Sequence, residues 1–138
     1  MTQDVTEFVE ELRRAQASFV QGDPRPLMAM WSHADDVTIM GGFGAFERGW
    51  AAVGPRLEWA CAQFRDGVQE RENVTTFFGD DVGYLVSIDR NEACVGSASK
   101  RTVQVLRVTQ VFRREDGEWR IVHRHADELR PKQAPTGP

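Results

Sequence analysis

The chain has 138 residues, 41% of them hydrophobic and 28% charged, a balance that excludes a disordered protein and leaves room for one domain with its own core. Lys plus Arg number 17 against 21 Asp plus Glu, a formal net charge of -4, so the long-range field repels a phosphate backbone and nucleic acid is not an expected partner. Only Cys61 and Cys94 occur, without zinc or redox spacing, and no apolar stretch is long enough to span a membrane, so no metal, cofactor or membrane partner is implied and a cytoplasmic location is expected.

Val5, Phe8, Val9, Leu12, Ala15, Phe19 and Val20 recur at helical spacing, predicting a long first helix with Thr2 as its cap and Gly22 just past its end. Asp23-Pro24 then pairs a capping residue with a proline at the first helical position, opening a short helix through Leu27, Met28 and Trp31. Asp36 to Met40 reads as a short strand, and Gly41, Gly42 and Gly44 after it suit a bend or the rim of a pocket. Trp50, Val53, Leu57, Cys61 and Phe64 return to helical spacing, with Gly54-Pro55 expected to kink the helix or restart it and Gly67 expected to end it.

From there the pattern is strand-like. Val68 to Phe78, Val82 to Arg90 and Thr102 to Arg114 are separated by Gly79-Asp80-Asp81 and by the small-residue stretch Gly96 to Lys100. Glu118 to Ala126 completes a hairpin across Glu115-Asp116-Gly117, where glycine supplies a positive φ. Residues 1–130 are expected to form one domain, and the proline-marked tail 131–138, with Pro131, Pro135 and Pro138, to fray.

Gly22-Asp23 between two helices, Ala34-Asp35-Asp36-Val37 before a strand, and the closing Arg113 to Asp127 hairpin together resemble the SnoaL-like, ketosteroid isomerase-like branch of the nuclear transport factor two-like superfamily. The closing stretch is also similar to the association domain of calcium/calmodulin-dependent protein kinase II. The resemblance implies an α+β cone: a strongly curved mixed sheet wrapped around N-terminal helices, a pocket between them, and a convex face used for homodimers. It is specific for fold and weak for chemistry.

Alternation divides each strand into two faces. On the Val82 to Arg90 run, the more apolar set Val82, Tyr84, Val86, Ile88 and Arg90 is expected to face the helices. The resemblance favours an inward Gln110 on the next strand. On the last it places Arg120, Val122, Arg124 and Ala126 inward, leaving Trp119, Ile121, His123 and His125 on an outer apolar stripe suited to a homodimer. An inward Arg124 would require an anionic partner, because burying it unpaired costs several kcal/mol.

The carboxylate base, tyrosine and protonated aspartate that the resemblance implies for ketosteroid isomerases fall near Gly41, Ala15, and Thr109 or Gln110, so none of the three is matched. His123, His125 and Asp127 form a weak metal pattern, and an interface role is the better reading for them. His33 is expected in a solvent-exposed helix-end loop. No catalytic residue is named by the sequence, and whether the chain is an enzyme stays open.

The reading these features support is a small-molecule-binding domain for a hydrophobic, anionic ligand, in the manner of an isomerase, cyclase or hydrolase. Tyr84, Gln110 and Arg124 supply its polar contacts, and Trp31 and Trp50 its apolar walls, around a cavity of several hundred Å3. The alternative is a non-catalytic association module.

Overall fold

Phe8, Leu12, Ala15 and Val20 share one face of α1 (Val5–Val20) and are almost fully buried in the computed structural model, which describes residues 4–97 and 100–134. Removing side chains such as Phe8 and Leu12 from water contributes about 1.5–3 kcal/mol each. Asp4 caps the helix, its carboxylate accepting the Thr6 N–H at 2.9 Å. Thr2, the expected cap, lies outside the described residues, as do Ala98 and Ser99 of the small-residue stretch and Pro135 and Pro138 of the tail. Gly22, at φ +103°, turns the chain into α2 (Arg25–Met30), where the Asp23 carboxylate accepts the Arg25 N–H at 3.1 Å.

The first strand, β1 (Thr38–Gly41), is followed by β2 (Gly44–Arg48), a strand that the glycine-rich sequence did not suggest. Helix α3 (Trp50–Cys61) runs unbroken past Pro55 and ends six residues before Gly67. That glycine instead lies within β3 (Phe64–Phe78), where an added Cβ would stand 2.2 Å from the Val20 carbonyl oxygen. Its missing side chain lets the sheet touch the end of α1.

The remaining strands are β4 (Val82–Val95), β5 (Arg101–Glu115) and β6 (Glu118–Glu128). Asp116 and Gly117 both take positive φ, 51° and 79°, at the β5–β6 turn. The six strands form one open mixed sheet in the order β2-β1-β6-β5-β4-β3, antiparallel except where β1 runs parallel to β6. With helices on its inner face, this is the expected α+β architecture. Among the described residues, no helix is long and apolar enough to cross a membrane.

Two face assignments are corrected. On β4 the inward set is Gly83, Leu85, Ser87, Asp89, Asn91 and Ala93, and the more apolar set with Tyr84 and Ile88 lies on the outer face. Hydrophobic alternation misreads this strand because its inner face lines a polar interior, and because Gly83 packs under the Phe78 ring, which an added Cβ would approach to 2.6 Å.

On β6, Phe112 pairs with Ile121 while Val111 pairs with His123, so Val122 is an extra residue in the ladder. Before this bulge Trp119 and Ile121 point into the core, at 1% and 0% exposure. After it, Arg124 and Ala126 continue the inner face while His123 and His125 lie on the outer one. The expected outer stripe therefore loses both Trp119 and Ile121. They join Phe8, Leu12, Trp31, Leu85 and Phe112 in the main core cluster, and Phe78 stacks on Phe112 with centroids 5.4 Å apart.

Candidate functional site

The strongest sequence clue to the site is a polar residue in an apolar stripe. Gln16 lies one turn beyond Leu12 on the buried face of α1, and its side-chain amide donates to the Gln110 Oε1 at 3.3 Å. Both residues are buried, so this pair fixes the helix against β5 through a contact that hydrophobic packing alone would not specify.

Gln16 borders a cavity of about 80 Å3 between α1, α3, the β1–β2 hairpin and the sheet. By the ~10–15 Å3 that one water requires, it takes several waters or one compact ligand, and it is smaller than the expected several hundred Å3. Phe19, Leu27, Leu57, Phe64 and Leu106 make its apolar walls. Gly41, Gly42 and Gly44 stand at its edge, as the glycine cluster suggested, and Phe43 packs there on Trp59 and Phe64 at 5.4 and 5.7 Å.

The polar lining includes Gln69, Asn91, Gln104 and Arg124. Gln69 donates to the Asn91 Oδ1 at 2.8 Å, which holds both amides in place on neighbouring strands. Arg124 is only 15% exposed, its Nη2 stands 4.0 Å from Asp89 Oδ2, and its Nη1 is buried without a hydrogen-bond partner among the described residues. Burial pushes the Arg124 pKa down, partly offset by Asp89, while a guanidinium at this depth still keeps its charge. Arg71, with a side chain 4% exposed, approaches Asp89 from β3 at 3.7 Å.

The five residues expected at a site are not all brought together. Arg124 lines the cavity, and Gln110 reaches it through Gln16. Trp31, 2% exposed, is a core residue. Trp50 stacks on the exposed His33 with centroids 4.0 Å apart, away from the cavity wall. Tyr84 lies on the opposite face of the sheet beside Phe77, with ring centroids 5.8 Å apart. Sequence reasoning missed Gln16, Gln69, Arg71, Asp89 and Asn91. For Gln16 the signal was present as a polar interruption of α1, and for Asp89 and Asn91 as the Ser87, Asp89, Asn91 alternation on β4.

On the outer face the His123 Nδ1 and Thr38 Oγ1 are 2.7 Å apart, and burial, with a smaller effect from His125, lowers the His123 pKa. Cys61 donates its thiol hydrogen to the Phe19 carbonyl at 3.2 Å, and burial, aided by Asp23, raises its pKa to about 11, which leaves it a poor nucleophile. Among the described residues, no group of three His, Cys, Asp or Glu is placed to hold a metal ion.

A family model described as a SnoaL-like domain matches residues 9–126. Among solved structures, the chain is similar to a nuclear transport factor 2-like superfamily protein from Salmonella enterica, with a TM-score of 0.78 at 14% identity, covering 97% of this chain and 99% of that one. It is similar to a structure named as a calcium/calmodulin-dependent protein kinase type II association domain from Thiobacillus denitrificans, with a TM-score of 0.73 at 19% identity over 94% and 98%. A third similar structure, from Novosphingobium aromaticivorans, is named as a scytalone dehydratase, with a TM-score of 0.74 at 13% identity over 96% and 89%. At these identities the structures show a shared fold. No curated protein matches the chain.

Proposed function

The chain belongs to the SnoaL-like domain family, and from that premise we propose that it binds a small organic ligand with an apolar body and one anionic group held by Arg124. The observation that carries this reading is the buried Arg124 Nη1, without a hydrogen-bond partner among the described residues, at the edge of a mainly apolar cavity. An anionic oxygen there would supply the missing charge-assisted hydrogen bond, while Phe19, Leu57 and Phe64 would cover the ligand's apolar part. Gln110 acts in this reading by orienting Gln16, and Trp31 and Trp50 act by supporting the helical wall.

The test is a thermal-shift comparison of hydrophobic carboxylates with their neutral amides, on the native chain and on Arg124→Gln. The expected result is a rise of several degrees with carboxylates that the variant loses. Equal responses from both proteins remove Arg124 from the site, and no response from the native chain removes the ligand reading.

The domain in this proposal is residues 1–130, placed in the cytoplasm. It self-associates as a homodimer through the outer sheet face, where Phe77, Val82, Tyr84 and Val103 are 55%, 52%, 40% and 50% exposed. Light scattering over a range of concentrations tests the dimer, and a strict monomer throughout overturns it.

A further inference from the structure

Arg71 on β3, Asp89 on β4 and Arg124 on β6 converge on the inner face of the sheet. Asp89 is fully buried, with Arg71 Nε 3.7 Å from its Oδ1 and Arg124 Nη2 4.0 Å from its Oδ2. Its Oδ1 already accepts the Ser87 hydroxyl at 2.7 Å. Two guanidiniums therefore face one carboxylate, and neither is close enough to be saturated by it. Arg71 Nε and Nη2, Arg124 Nη1 and Asp89 Oδ2 are all buried without hydrogen-bond partners among the described residues.

Arg71, Asp89 and Arg124 together carry one net positive charge beside the cavity, and the opposite charges of Glu47 and Arg56 on its wall offset each other. Buried excess charge is costly in either sign, so one added negative charge relieves the cost and two would reverse it. We propose that Asp89 sets the charge of the ligand: it cancels one of the two arginines, and the site thereby selects a monoanion over both a dianion and a neutral molecule. This rests on the reading that Arg124 holds an anionic group, and it goes further by assigning specificity to two residues, Asp89 and Arg71, that are not part of the cavity wall. Asp89 is a positioning and charge-balancing residue here, acting through Arg124.

The experiment is calorimetric titration with benzoate, phthalate and benzamide, whose rings suit the aromatic wall and whose charges are one, two and none. It uses the native chain, Asp89→Asn, Arg71→Gln and the double variant. Asp89→Asn leaves two net positive charges and is expected to raise the phthalate-to-benzoate affinity ratio by about tenfold. Arg71→Gln leaves none and is expected to lower the benzoate-to-benzamide ratio by about tenfold, and the double variant, with one positive charge again, is expected to restore both native ratios.

If benzoate binding depends on Arg124 but both ratios stay constant across the four proteins, the charge-balance proposal is overturned and the anion-binding reading survives. If benzoate fails to bind the native chain, both fall. Should Asp89→Asn fail to fold, the Arg71→Gln ratio decides, since that variant keeps the Arg124–Asp89 pair.

Discussion

Phe112 faces Ile121 across the β5–β6 ladder while Val111 faces His123, leaving Val122 as an extra residue between them. This bulge decides which half of β6 belongs to the core and which half to the cavity. Without it, one strand could not bury Trp119 at position 119 and Arg124 at position 124 on the same side, because five residues of regular alternation place them on opposite faces. Trp119→Ala is therefore expected to destabilise the protein by about 3–5 kcal/mol, as a core truncation does, whereas Arg120→Ala on the outer side should cost less than about 1 kcal/mol. Urea denaturation separates the two. Equal small effects would put Trp119 outside the core.

Gly67→Ala tests the contact between β3 and the end of α1. A Cβ at this position would meet the Val20 carbonyl oxygen at 2.2 Å, a separation that only a backbone shift relieves. The expected cost is about 1–3 kcal/mol, measured as a lower urea midpoint with an unchanged slope. Gly41→Ala, where no atom of the described residues stands within 4 Å of the added Cβ, is the control and should have little effect.

Removing the buried charge should separate stability from binding. Arg124→Leu leaves Asp89 with Arg71 alone and relieves the excess positive charge, so a gain of about 1 kcal/mol is expected alongside loss of any carboxylate response. A loss of more than about 2 kcal/mol would mean that Arg124 serves the fold in the unliganded protein.

The pH dependence has two windows of the same sign. Burial lowers the His123 pKa below its ordinary 6.5, so the unfolded chain takes up the proton first and stability falls as pH drops below 6.5. The Arg113 guanidinium, 2.7 Å from Asp36, holds that carboxyl below its ordinary 3.8, so the Asp36 contribution is complete above 3.8 and is lost as pH falls through the lower folded value. Thermal melts of His123→Gln should lose the slope in the first window and keep that in the second. An unchanged first slope would assign it to another group.

Cys61 should be nearly inert in the folded state. With its pKa raised to about 11, roughly one thiol in a thousand is ionised at pH 8, so a Cys94→Ser variant should react with an aromatic disulfide reagent only on unfolding. Reaction of the native variant at the rate of a free thiol would contradict the burial seen around Cys61.

Helices α1 and α2, the four later strands and the β5–β6 turn were legible because their signals are local. Phe8, Leu12 and Val20 repeat at one helical face, Asp23-Pro24 marks a helix start, and Asp116-Gly117 supplies the turn. The family resemblance likewise rested on short motifs, and it anticipated the mixed sheet and the inward Gln110 and Arg124.

The site was only partly legible, because its residues violate the rule by which faces are read. Tyr84 and Ile88 look inward by hydrophobicity, yet Ser87, Asp89 and Asn91 occupy the interior, where partners on other elements offset their burial. The sequence by itself determined the α+β class and the order of its main elements, and the family resemblance added an arginine inside the sheet. Only the tertiary structure decided what that arginine meets. The Val122 bulge changes the inward parity between Ile121 and Arg124, and strand pairing carries Arg71, Asp89 and Arg124 together from positions that no local pattern connects.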